Sequence, residues 1–480
     1  NGTIETTRSD GKSGSAIWVN QNVNLNIADN AVVNAAGTEG ANFGVAVYYG
    51  CNNINVTING ELTGSNGLTI NGQVTKENNV SVAINGKVDV THTAVYLAGY
   101  GDTSVNSSAY IKGNTGIEIR AGELTVNGGT IAGGNSYSSA EDSNGPTVFG
   151  AGIAVSQHTT NQNIDVRINR GNISGAVALA QEALQSGNNA DQVKIDVAGG
   201  SFKATAAQSE AIKATNVDTV TITGGKFQKS DGSVSDIDDY LAPGLDVDED
   251  GDVVVGSDAV AQVGDTVYTN LQEAINAAIT AKKPVEILKD FTITVPNGTA
   301  VKTGAVNING NVTIDGNHKT ITAGEGFIIK DGTGLYHVIN IQGNATVTIK
   351  NLSINGANMA RSGINVFGDA TSAPVVTLTD VDVKNCTTYG VTNGSAKVTA
   401  SDLTTNGNRW GGVNVDSKNA DATFKMTSGT LADNYSVVAG ESASNKSVVN
   451  LDGGTYNTVQ VKVSNTDVNI SRGTYGKIEL

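Results

Sequence analysis

Short runs in which apolar and polar residues alternate recur along this chain, each closed by glycine and each slightly altered. Val56-Thr57-Ile58-Asn59-Gly60 returns as Val82-Ala83-Ile84-Asn85-Gly86 and as Leu124-Thr125-Val126-Asn127-Gly128-Gly129. Later forms are Val220-Thr221-Ile222-Thr223-Gly224-Gly225, Val312-Thr313-Ile314-Asp315-Gly316 and Val449-Asn450-Leu451-Asp452-Gly453-Gly454. Successive side chains of a strand point to opposite faces. Val56, Ile58, Val82, Ile84, Val220 and Ile222 are therefore predicted inward, and Thr57, Ala83 and Thr221 outward. A second phrase, a small residue followed by another alternation, accompanies the first. Examples are Gly44-Val45-Ala46-Val47, Thr93-Ala94-Val95-Tyr96-Leu97, Gly116-Ile117-Glu118-Ile119, Gly363-Ile364-Asn365-Val366 and Gly412-Val413-Asn414-Val415. The interval is mostly about 20–30 residues, the size of one unit in stacked-repeat proteins. These patterns predict an all-β fold, a right-handed parallel β-helix, with Asn and Gly-Gly at its turns.

The pattern breaks once, between about Phe227 and Phe291, where Pro243, Pro284 and Pro296 lie in or just beyond the break. Asn270-Leu271-Gln272-Glu273 has the sequence of a capping box. After it Leu271, Ala274, Ile275, Ala278 and Ile279 fall on one face at helical spacing. A short amphipathic helix over about 270–279 is expected to cover the first repeat of a second array, with Val285-Glu286-Ile287-Leu288 as its first strand. Two tandem β-helical domains follow from this break: 1–256, ending in a hairpin-like segment, and 257–480.

The same junction resembles a family of repetitive cell-surface proteins of Gram-positive gut bacteria. The resemblance runs through Gly224-Gly225-Lys226-Phe227, Asp239-Tyr240-Leu241-Ala242-Pro243-Gly244 and Asp250-Gly251-Asp252-Val253-Val254-Val255. It continues through Val260–Tyr268 and Leu271-Gln272-Glu273-Ala274-Ile275 to Val285–Asp290. About 65 residues match closely, and the repeats elsewhere match only in pattern. What the resemblance implies is an exported or wall-associated β-helix with no assigned chemistry and no catalytic residues.

Composition changes the picture in three ways. With 59 Gly, only 5 Pro and 38% hydrophobic residues, the chain suits short strands and tight turns rather than disorder. Its 30 basic and 46 acidic residues give a net charge of −16 without a basic cluster, which argues against a nucleic-acid partner. No apolar run is long enough for a membrane span. The chain opens at Asn1-Gly2-Thr3 without Met or a visible signal peptide, as a mature form or an excised piece does. Cys51 and Cys386, the two cysteines, fall in different arrays and are expected as free, buried thiols.

Candidate chemistry is sparse. Asp246-Val247-Asp248-Glu249-Asp250-Gly251-Asp252 carries the first half of a calcium-loop spacing, but the twelfth position is Ser257, so a hairpin turning at Glu249-Asp250-Gly251 is the preferred reading. The outward column of the second phrase reads Ala46, Thr69, Tyr96, Glu118, Ala154, Ala178 and Lys213. The next reads Tyr48, Asn71, Ala98, Arg120, Ser156 and Ala180, and neither gathers the paired acids of a glycosidase. His92, His158, His318 and His337 lack zinc-site spacing. Asp315, Asp380 and Asp382 read as solvated turn or face residues. An outward series Thr313, Thr348, Thr377, Thr399 ends at Lys425 and Asn450 and reflects strand propensity. Outward Tyr48 and Tyr96 offer flat faces for sugars, and the insertion at 133–149 is long enough to carry function. No catalytic residue, metal site or cofactor is assigned. The expected function is a non-catalytic extracellular surface protein, secreted or cell-wall associated: a rigid spacer, adhesin or glycan-contacting module whose partners are glycans or host or cell-surface proteins. The alternative is a carbohydrate-active enzyme of lyase or hydrolase type.

Overall fold

The computed structural model describes residues 2–6, 14–36, 42–295, 304–440 and 445–480. Among these the structure is almost wholly β, with one α-helix, Leu271–Ala281. Two compact units account for the chain, 1–256 and 257–480. Each holds one long sheet system in which strands of successive repeats pair in parallel, an arrangement compatible with a stacked-repeat solenoid.

In the first unit the alternating phrase sets the register. Ile27 pairs with Ile58, Ile58 with Ile84, Ile84 with Val105 and Val105 with Val126. The row continues through Ile168 and Val197 to Ile222. All eight are buried, so one aliphatic side chain per repeat stacks on the next. Each such burial contributes about 1.5–3 kcal/mol. The repeats at Val105 and Ile168 carry the same row although their phrases are less regular. In the second unit the equivalent row runs Ile314, Ile349, Leu378, Ala400, Met426, Leu451 and Ile470.

Turn chemistry follows the sequence. Half of the described non-glycine residues with positive φ are Asn, among them Asn53, Asn79, Asn351 and Asn385. Other asparagines form an amide ladder: Asn59 Nδ2 donates to Asn26 Oδ1 at 3.0 Å, Asn85 to Asn59 at 2.7 Å and Asn106 to Asn85 at 2.6 Å. The closing glycine is demanded by backbone approach. A Cβ on Gly86 would lie 2.2 Å from the Gly60 carbonyl oxygen of the preceding repeat.

The helix begins where the sequence places it. Asn270 caps it, its side chain accepting from the Gln272 and Glu273 backbone N–H groups at 2.9 and 3.2 Å. Leu271, Ala274, Ile275 and Ala278 are buried in the core of the second unit, while Ile279 is only half-buried and the helix runs two residues past it. Gln272 ties the helix to the strand Gly304–Ile308 by exchanging hydrogen bonds with the Asn307 backbone. Val285–Ile287 pairs in parallel with Val312–Ala323 and antiparallel with Ala261–Val263.

Candidate functional site

The 133–149 insertion folds as an antiparallel hairpin, Ser138–Asp142 with Gly145–Phe149. Its inner residue Val148 joins Ala151, Ala154, Val177 and Ala180 in a small second core, flanked by Tyr137. The hairpin thus lies on the outer face of the sheet. Two residues that alternation alone would leave in water, Glu118 and Arg120, are completely buried there. Arg120 donates to Tyr96 Oη at 2.6 Å and to the carbonyl oxygens of Ser156 and Asn144. Glu118 accepts from Ser156 Oγ at 2.8 Å, while its second oxygen has no hydrogen-bond partner. Burial pushes the Glu118 carboxyl up to about 7 against the opposing pull of the Arg120 charge. Tyr137 donates to Glu182 and lies under the Lys213 ammonium, 4.3 Å from its ring centroid.

The register corrects the outward columns. Ala154 pairs with Ala180 and Ala180 with Lys213, so Ala180 belongs to the first column, whereas Ala178 faces the main core. In the run Gly175-Ala176-Val177-Ala178 every side chain is small or apolar, and alternation cannot choose a face. The first column also starts one repeat earlier, because Trp18 pairs with Ala46. Trp18, 53% exposed, stacks on Tyr48 with centroids 4.7 Å apart. Together with Tyr96, Asn71, Gln73, Asn144 and His158 they line a groove of about 470 Å³. Of the two tyrosines expected to offer flat faces, Tyr48 is exposed but stacked on Trp18 and in edge contact with Tyr49. The hydroxyl of Tyr96 is bound to Arg120. Nδ1 of His158 accepts the Thr160 backbone N–H, and burial followed by Arg120 lowers its pKa.

The second unit carries a groove of about 610 Å³ on the sheet built from the same phrase. Its floor is the row Asn340, Asn365, Thr392, Asn414. Asn365 Nδ2 donates to Asn340 Oδ1 at 2.8 Å, and Asn340 Nδ2 to Asn307 at 3.1 Å. One rim is the row Gln342, Phe367, Gly394, Asp416. The other follows the backbone bonds from Trp410 to Thr388 and from Thr388 to Arg361. Tyr389 meets Trp410 edge to face at 5.9 Å. His337, beside Arg361, is 5% exposed and held neutral, its pKa lowered to about 3 by burial and then by the Arg361 charge. The phrases containing Asn365 and Asn414 already placed these amides outward. The rims were not visible in them.

The remaining candidates stay apart. Residues 245–255 form a hairpin, Leu245–Val247 with Val253–Val255. Asp248 Oδ1 accepts the Asp250 and Asp252 backbone N–H groups, and Asp252 pairs with Lys226 at 2.8 Å. Among the described residues no three His, Cys, Asp or Glu side chains gather as metal ligands. His92 and His318 are exposed, the latter 3.4 Å from Asp380. Cys51 and Cys386 are free and buried, and burial raises both thiols, that of Cys386 to about 12. Thr313, Thr348, Thr377, Thr399, Lys425 and Asn450 form one continuous row. No helix is long and apolar enough to cross a membrane among the described residues. Compared with protein-family models, with curated proteins and with solved structures, the chain finds no match.

Proposed function

We propose that this chain is a non-catalytic extracellular module, secreted or wall-associated, built as two right-handed parallel β-helices and acting as a rigid spacer or adhesin that contacts glycans. The observation that carries the reading is the gathering of exposed aromatic rings and amides in one groove of each unit: Trp18 and Tyr48 beside Asn71, and Trp410 and Phe367 beside Asn365 and Asn414. Aromatic faces take the apolar face of a sugar ring, and amides take its hydroxyls. The resemblance of residues 224–290 to bacterial surface proteins supports export, and the paired parallel rows support a solenoid.

One observation favours the alternative, a carbohydrate-active enzyme. Arg361, Asp416 and Lys418 share the second groove, and acid–base chemistry needs such charged groups facing one substrate. A glycan array combined with a polysaccharide-degradation screen tests both readings. Binding without product, weakened by Trp18→Ala or Trp410→Ala, is the expected result. Cleavage abolished by Asp416→Asn would replace this reading with the enzyme.

A further inference from the structure

In a chain of net charge −16, the groove of the second unit holds one more cation than anion. Arg361 and Lys418 line it against a single carboxylate, Asp416, which lies on the opposite rim from Arg361 and two repeats further along. The Arg361 guanidinium is half-buried and has no carboxylate or hydrogen-bond partner among the described residues. Two further polar atoms at the groove are buried and unpartnered: His337 Nδ1 and Asn414 Nδ2, on side chains 5% and 3% exposed. The amide ladder explains the second of these. Asn307, Asn340 and Asn365 satisfy one another, but the next rung is Thr392, whose hydroxyl turns to Ser362 at 2.9 Å, so Asn414 is left without a neighbour.

We propose that this groove binds an acidic sugar, seating a pyranose carboxylate against Arg361 and the adjoining ring against Trp410. The inference rests on the glycan-contacting reading and names the class of glycan. The guanidinium fork matches a carboxylate in two parallel hydrogen bonds, which a hydroxyl does not do. Arg361 and Trp410 sit on one rim two strands apart, about 10 Å at the backbone, the span of two neighbouring sugar rings. His337, neutral beside Arg361, adds no charge and offers a ring nitrogen, and Asn414 offers an N–H to hydroxyls over the floor. Gly394 between Phe367 and Asp416 leaves the far rim open at its centre, where a substituent passes. A carboxylate reaches such a site from two sources, a hexuronate or a sialic acid, and both belong in the test.

The full chain carrying Trp18→Phe, with Trp410 as the remaining tryptophan, is titrated with trigalacturonate and its methyl ester, and with sialyllactose and lactose. The Trp410 signal is expected to respond to at least one of the acidic members and only weakly to its neutral counterpart. Arg361→Gln is expected to weaken the acidic ligand by about 10-fold or more and leave the neutral one unchanged. Arg361→Lys restores part of the loss. Equal binding of acidic and neutral members, or an unaffected Arg361→Gln, overturns the acidic assignment and leaves the glycan-contacting reading standing. Silence towards all four ligands at Trp410, with no glycan bound on an array by the wild type, overturns both. If Arg361→Gln does not fold, the comparison of acid with ester on the wild-type groove decides, together with salt dependence. Binding unchanged between about 0.05 and 0.5 M salt counts against a charge-paired carboxylate.

Discussion

Glu118 offers the sharpest test of the hairpin that closes over the outer face of the first unit. Its carboxyl is fully buried, and its pKa stands near 7 against an ordinary 4.5. A folded value above the unfolded one means that the protein binds this proton more tightly when folded. The ionised group therefore lowers stability, fully so above pH 7, and the penalty fades as pH falls towards 4.5. A shift of about 2.5 units corresponds to about 3 kcal/mol. Roughly 1 kcal/mol of it is already present at pH 5.5 and nearly all at pH 8. Glu118→Gln keeps the volume and an acceptor for Ser156 but removes the ionisation. The stability difference between the variant and wild type isolates the single group from the many surface carboxylates. Urea unfolding followed by Trp18 fluorescence, in a Trp410→Phe background, reports on the first unit. The variant is expected to gain about 3 kcal/mol on the wild type between pH 4 and pH 8. A difference that stays flat over that range would show that Glu118 is not sealed beneath the hairpin.

Ile275→Asp places a charge without a partner in the core of the second unit and should destabilise that unit by about 3–5 kcal/mol, read from the urea midpoint of Trp410 fluorescence; an unmoved midpoint refutes the helix as part of that core. Phe202 and Phe227 stack at 4.7 Å, both fully buried, so Phe202→Ala should cost the first unit about 3–5 kcal/mol in the Trp18 transition. Asn85→Ala removes an interior rung of the first amide ladder and two hydrogen bonds with it, a loss of about 1–3 kcal/mol by the same assay, whereas Ser108→Ala at an exposed neighbouring site should cost less.

The inward rows were legible because a period of two leaves a strand little choice of face: Ile58, Ile84, Val126 and Ile222 are buried as their phrases require. The helix was legible because a cap and a helical apolar stripe coincide at Asn270. Glu118 and Arg120 were not. Alternation correctly directs them away from the main core, but what covers them comes from residues 138–149, and no local pattern announces that a hairpin will fold back. The misplaced Ala178 shows the complementary limit, since a run of small apolar residues has no polar member to mark the outside. The second groove was half legible. Its amide floor repeats in the sequence as Asn365 and Asn414, while Arg361, Phe367 and Trp410 stand in turns and strand ends of different repeats and meet only through register.

The amide ladders carry a consequence for how such a chain lengthens or shortens. Asn59 and Asn85 are 26 residues apart and occupy equivalent rungs, each preceded by Ile and followed by Gly. Excising residues 60–85 joins Asn59 to Gly86 and rebuilds the same Ile-Asn-Gly junction, and the amide of Asn106 then meets Asn59 as it formerly met Asn85. The rungs stand 33, 26 and 21 residues apart, so a cut that does not join equivalent positions of two repeats leaves a rung facing the wrong neighbour and turns the aliphatic row that follows out of step. Whole repeats are thus the quanta in which this architecture can be copied or lost, and a gene that slips by one repeat still encodes a continuous ladder.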